Sequence, residues 1–143
     1  MEITRIDAAR IFHLVTNQDL RSSLTSSSYR PATLDDLGFV HCAEEQSVLS
    51  VANDYFSEAA DPVLLLAIDV RRLSSEVRYE AAAPIAGGGT AHVASAVTFP
   101  HVYGPLDTQA ITRLGVLGRT ATGFCWPTEM ITLDEYVRLC VEK

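Results

Sequence analysis

The sequence predicts an α+β fold, a mostly antiparallel or mixed sheet with flanking helices. Three observations carry this. Short β-prone apolar runs (residues 11–15, 39–42, 77–80 and 110–117) are interrupted by amphipathic segments without regular strand–helix alternation. The stretch Val63-Leu64-Leu65-Leu66-Ala67-Ile68 is apolar throughout, as in a central strand covered on both faces. The 143 residues contain no repeat, heptad pattern or linker, so one domain over 1–143 is expected, large enough to bury about two-thirds of its unfolded surface.

The elements follow in order. Residues 8–15 form the first strand, with His13 embedded among Ile11, Phe12, Leu14 and Val15. Asn17 is placed to cap a helix over 18–24, which the hydroxyl tract 25–28 ends by competing for backbone hydrogen bonds. Tyr29-Arg30-Pro31 is extended, because proline disfavours a helical residue before it. A turn capped by Thr33 closes at Gly38, and Phe39-Val40-His41-Cys42 reads as a buried strand. Glu44 and Glu45 suit the first turn of a helix over 44–57, whose apolar side carries Val48, Val51, Ala52, Tyr55 and Phe56.

Asp61-Pro62 turns the chain into the strand 63–68, Val70 to Leu73 forms one helical turn, and 77–80 alternates as a further strand. Residues 81–98 read as a small-residue loop around Gly87-Gly88-Gly89, with His92 solvated; no Lys-Ser/Thr follows the glycines, so this is no phosphate-binding loop. Phe99 to Leu106 is an extended segment carrying Pro100 and Pro105, and 110–117 is another strand. Thr132 and Glu135 have the spacing of a capping box for a C-terminal helix to about 141, with Leu133, Tyr136, Val137 and Cys140 on one face.

The net charge of −7 and the scattered arginines, with Arg71-Arg72 the only adjacent pair, argue against a nucleic-acid backbone as partner. Cys42, Cys125 and Cys140 have no CxxC spacing, which excludes a zinc ribbon or thioredoxin-type motif and suits reduced thiols. Met1 to Arg5 carries no apolar run, and nothing approaches the roughly 18 apolar residues that span a bilayer, so a soluble cytoplasmic protein without membrane partners is expected.

Chemistry is sought at the histidines. His13, His41 and His101 each lie in an apolar extended segment, where an imidazole must find partners for both nitrogens, and the three are expected to converge on one concave site. Each also has a plain reading as a core histidine satisfied by a backbone carbonyl. Glu80, at a strand end beside Tyr79, is the best-placed acid, with an ordinary exposed carboxylate as its plain reading. Cys42 and His41, as strand neighbours, face opposite ways and form no Cys–His pair.

Ile11-Phe12-His13-Leu14, Gly38-Phe39-Val40-His41-Cys42, Gln46, Ala52-Asn53-Asp54-Tyr55-Phe56, residues 64–69, Val77-Arg78-Tyr79-Glu80 and residues 99–106 together resemble, in that order, the blocks of a bacterial family catalogued as domain of unknown function 952. That family's fold is similar to that of ADP-ribosyltransferases, including the RNA 2′-phosphotransferase branch. The resemblance implies NAD as cofactor, a small-molecule nucleotide as partner and, as nucleic acid, at most a phosphorylated end. It implies that His13 and His41 contact NAD. The catalytic group is then His41 with Glu80, or with the segment His101 to Tyr103 in place of Glu80. Two alternatives stand beside this reading: a metal-dependent enzyme using the histidines with a carboxylate, and a non-catalytic nucleotide-binding module.

Overall fold

The computed structural model describes residues 9–81 and 98–141. The expected loop over 81–98, with its glycines and His92, therefore lies almost wholly outside the described residues. Strand β1 (Arg10–Thr16) leads into helix α1 (Asn17–Ser23), strand β2 (Ser28–Tyr29), helix α2 (Ala32–Leu37), strand β3 (Val40–His41) and helix α3 (Val48–Tyr55). Strands β4 (Val63–Asp69), β5 (Glu76–Ala81), β6 (Thr98–Tyr103), β7 (Leu106–Asp107), β8 (Ile111–Val116), β9 (Gly118–Thr120) and β10 (Gly123–Cys125) follow, and helix α4 (Leu133–Val141) closes the described chain. The architecture is α+β, and every strand pair is antiparallel.

Two three-stranded sheets carry the fold, β1-β4-β8 and β3-β6-β5; two-stranded ribbons β2-β7 and β9-β10 flank them. The central strand β4 is buried on both faces from Val63 to Ile68, as its unbroken apolar run requires. One core gathers Ile11, Val15, Leu66 and Leu114 from the first sheet with Val40, Cys42 and Val102 from the second. A second cluster, on the other face of the first sheet, packs Phe12, Leu65 and Ala67 against Val48 and Ala52 of α3, and takes in Phe99.

The sheets are stitched together where β3 ends. Cys42 N–H donates to the Pro100 carbonyl at 3.0 Å, but Pro100 has no N–H to return, and the ladder between β3 and β6 stops at His41. Ala43 then pairs with Phe12 of β1 through two hydrogen bonds of 2.8 Å. The chain thus passes from the second sheet to the first within two residues.

Several local expectations are corrected. Thr16, not Asn17, caps α1, accepting from Asp19 N–H at 3.3 Å, which frees Asn17 Oδ1 to accept the Tyr136 hydroxyl at 2.6 Å. Helix α2 starts at Ala32, so Thr33 lies inside it and caps nothing; Gly38 does close it, with a left-handed φ of 86°. Helix α3 starts only at Val48, because Ala43 is held extended by Phe12 and residues 44–47 are needed to turn the chain; Glu44 and Glu45 are outside it. The capping box at Thr132 and Glu135 is present, with Thr132 N–H to Glu135 Oε1 at 2.9 Å and Glu135 N–H to Thr132 Oγ1 at 3.2 Å. Tyr136 points into the core, but Val137 is exposed rather than on the buried face.

Truncating Leu66, fully buried at the middle of β4, should cost about 2–5 kcal/mol as Leu66→Ala, read as a lower urea midpoint at unchanged slope.

Candidate active site

Strand alternation sorts the second sheet into two unlike faces. Val40, Cys42 and Val102 enter the apolar core. The opposite face carries Phe39 and His41 from β3, Phe99, His101 and Tyr103 from β6, and Glu76, Arg78 and Glu80 from β5. Register aligns them: His41 is directly opposite His101, and His101 is opposite Arg78. The rings of Phe39 and His101 stack with centroids 4.1 Å apart at 19°, and His41 meets His101 edge to face at 5.2 Å.

His101 is 1% exposed, and its Nδ1 lies 2.8 Å from Glu80 Oε1. Tyr103 donates its hydroxyl to the same oxygen at 2.6 Å. The Tyr103 bond, then the His101 bond, hold the Glu80 carboxyl below the usual carboxylate range. An ionised carboxylate only accepts, so Nδ1 of His101 carries a proton towards Glu80, and in a neutral ring Nε2 is then the lone-pair nitrogen. That Nε2 is buried and has no partner among the described residues. Arg78 completes the outer layer, with its guanidinium 4.4 Å over the Tyr103 ring and paired to Glu76 at 3.1 Å.

His13 is set differently. It projects from the core-side face of β1, and both its nitrogens are engaged: Nδ1 donates to the His41 carbonyl at 2.6 Å, and Nε2 accepts the Tyr29 hydroxyl at 2.8 Å. The carbonyl can only accept, which fixes the tautomer. Burial lowers the pKa of His13 to about 4, against the smaller opposing effect of the His41 bond, and it pushes the Tyr29 hydroxyl well above its ordinary range. His41 is also lowered to about 4, by burial first and then by the neighbouring imidazoles of His101 and His13. Its Nε2, like that of His101, is buried without a partner.

His13, His41 and His101 all border one cavity of ≈ 470 Å³, within the usual size of a small-molecule site. Phe12, Leu14, Phe56 and Phe99 supply apolar wall, and Asp19 and Asp54 are its acidic members. Glu80 and Tyr103 are not part of the wall; they meet His101 at its Nδ1 edge. The structure therefore brings the three histidines together and sets Glu80 and Tyr103 behind one of them. Both nitrogens of His13 are engaged within the protein, by the His41 carbonyl and the Tyr29 hydroxyl. Among the described residues no group of three or more His, Cys, Asp or Glu side chains is disposed to hold a metal ion.

Tyr29 and Phe39 belong to the site and escaped sequence reading. The period-2 spacing of Phe39 with His41, and of Phe99, His101 and Tyr103, was the available signal for one shared aromatic face. Tyr29 carried no such signal, since its strand is two residues long.

A family described as protein of unknown function (DUF952) matches residues 14–114, a span that includes the second sheet, His41 and His101. Among solved structures, the crystal structure of protein CC0527 from Caulobacter crescentus is 21% identical, with a TM-score of 0.64, over 90% of this chain and 98% of that one. The solution NMR structure of CC0527 has a TM-score of 0.60 at 21% identity, over 92% of this chain and 98% of that one. This likeness shows the fold. No curated protein matches the chain. Among the described residues no helix is long and apolar enough to cross a membrane.

Two outcomes follow from the His13 pairing. Tyr29→Phe leaves the buried His13 Nε2 unpaired and should lower unfolding free energy by about 1–3 kcal/mol in chemical denaturation. His13 is held near 4 in the folded state against an ordinary 6.5, so the unfolded chain binds the proton first. The stability that His13 contributes is complete above pH 6.5 and is lost as pH falls towards 4, on the order of 3 kcal/mol in all. A plot of unfolding free energy against pH should decline through that window, and His13→Gln should flatten the decline.

Proposed function

The chain belongs to the DUF952 family, whose description as proteins of unknown function supplies no activity, and we propose one from the site itself: the cavity binds a small organic molecule, and His101 acts on it as a general base through Nε2. One observation carries the reading. His101 borders the cavity, a carboxylate holds its Nδ1, and its buried Nε2 has no partner among the described residues. An unsatisfied buried acceptor costs about 1–3 kcal/mol, a cost that a ligand O–H or N–H removes. On taking the proton the ring becomes an imidazolium, which Glu80 stabilises across the Nδ1–H bond, while Tyr103 keeps that carboxylate ionised and in place. His41, neutral at ordinary pH, offers a second unpartnered Nε2 beside the first.

The chemistry that suits this is activation of an O–H or N–H nucleophile for transfer or hydrolysis. In an ADP-ribosyltransferase-like version, with NAD as cofactor and a nucleotide in the cavity, His101 and Glu80 would stand where the acceptor is activated and His41 beside the nucleotide. Support for that version comes from the sequence resemblance alone. A non-catalytic module would use the same Nε2 atoms to bind and leave the proton where it is.

The test is titration of NAD, ADP-ribose and a panel of small alcohols and amines into wild type, His101→Gln and Glu80→Gln, with turnover followed by product analysis. Loss of the bare Nε2 in His101→Gln should weaken the bound compound by about tenfold or more. Glu80→Gln can present an amide N–H to Nδ1, shifting the proton to Nε2, and should abolish turnover even where binding persists. Wild-type affinity and turnover in both variants would end the proposal.

A further inference from the structure

We infer that the ligand of this cavity carries an amine, neutral or protonated, and no phosphate. This rests on the small-molecule reading above and narrows it to a chemical class, against the version with NAD and a nucleotide in the cavity.

The charged groups on the described wall are Asp19 and Asp54; no Arg or Lys is among them. Neither carboxylate pairs with a cation or takes a side-chain hydrogen bond among the described residues, whereas Asp35, Asp69 and Glu76 all do. Asp54 sits in the last turn of α3, where the helix dipole disfavours a carboxylate, so nothing local explains its charge there. The amides at the start of α1 give an anion no foothold, because Gln18 N–H donates to Asp61 Oδ2 at 2.6 Å and Asp19 N–H to Thr16.

The second, independent observation is His101. It is almost wholly buried, it borders the cavity, and its Nε2 has no hydrogen-bond partner among the described residues. A ligand that satisfies the neutral ring brings a hydrogen-bond donor to His101 while sitting beside two carboxylates. A phosphate oxygen at neutral pH brings neither a donor nor a compatible charge. An amine brings N–H groups to the imidazole and, when protonated, charge to Asp19 and Asp54. The apolar wall of Phe12, Leu14, Val15, Phe56 and Phe99 suits a hydrocarbon or aromatic body attached to it.

Three probes of similar body separate the possibilities when titrated into the full chain and followed by calorimetry and ligand-observed NMR: 2-phenylethylamine, 2-phenylethanol and phenyl phosphate. The amine should bind and the phosphate should not. The double variant Asp19→Asn/Asp54→Asn should weaken the amine by about tenfold and leave the alcohol within about twofold, since only the amine loses a charge partner. Both side chains are free of hydrogen bonds among the described residues, and a matched thermal unfolding curve confirms the fold. Phenyl phosphate binding as tightly as the amine, or an amine affinity unmoved in the double variant, overturns the inference. If the alcohol binds in a His101-dependent way and the amine gains nothing over it, the site stands and the amine class falls. If none of the three binds, the cavity reading and the amine class fall together.

Discussion

A buried imidazole at the middle of an apolar strand governs how this molecule is put together. His13 has two polar atoms in a place without water, and each must meet a partner or cost of the order of 1–3 kcal/mol. Tyr29 meets one and the His41 carbonyl the other. The second bond crosses from the first sheet to the second, one residue from the Cys42–Pro100 bond and two from the Ala43–Phe12 pair. The backbone of His41 is therefore gripped from the β1 side, which sets where its ring emerges beside His101. His13 thus orders the site without offering it an atom.

The second sheet divides its labour between wet and dry edges. Glu80 is 38% exposed and lies next to the Arg78–Glu76 surface pair, so its carboxylate is solvated and easily kept ionised. One bond inward, His101 is packed under Phe39, borders the cavity and keeps its Nε2 away from water. The ring conducts the influence of a solvated charge into an apolar space. A carboxylate placed at the buried position of the His101 ring would face the desolvation cost of a buried ion; the relay through His101 avoids it.

Much of this was legible in the residues, and the reasons for the rest are physical. The strand 63–68, the Gly38 terminus, the Thr132–Glu135 box and the α+β class rest on local rules that the chain obeys. Where tertiary pairing overrides local preference the reading shifted: Ala43 is pinned to Phe12, so the helix that Glu44 and Glu45 seemed to begin waits until Val48. The suspicion that three histidines in apolar stretches share one opening matches the cavity. What a single sequence did not separate was their states. His13 saturated, His101 held by a carboxylate, and His41 holding its neighbour through its backbone rather than its ring are differences of register and reach, which composition and spacing do not encode.

The shortness of β3 has a consequence for when the site comes into being. Two residues of strand join β6 from far away in sequence, and His41 meets His101 only through that pairing. Most of the cavity wall comes from residues 12–56, but His101 joins it only through the long-range pairing of β3 with β6, whose loop-closure entropy must be met first. The site is thus a property of the finished molecule. Whatever binds there must resist global unfolding and not only local fraying, so its protection should extend to amides in β4, far from any contact with it.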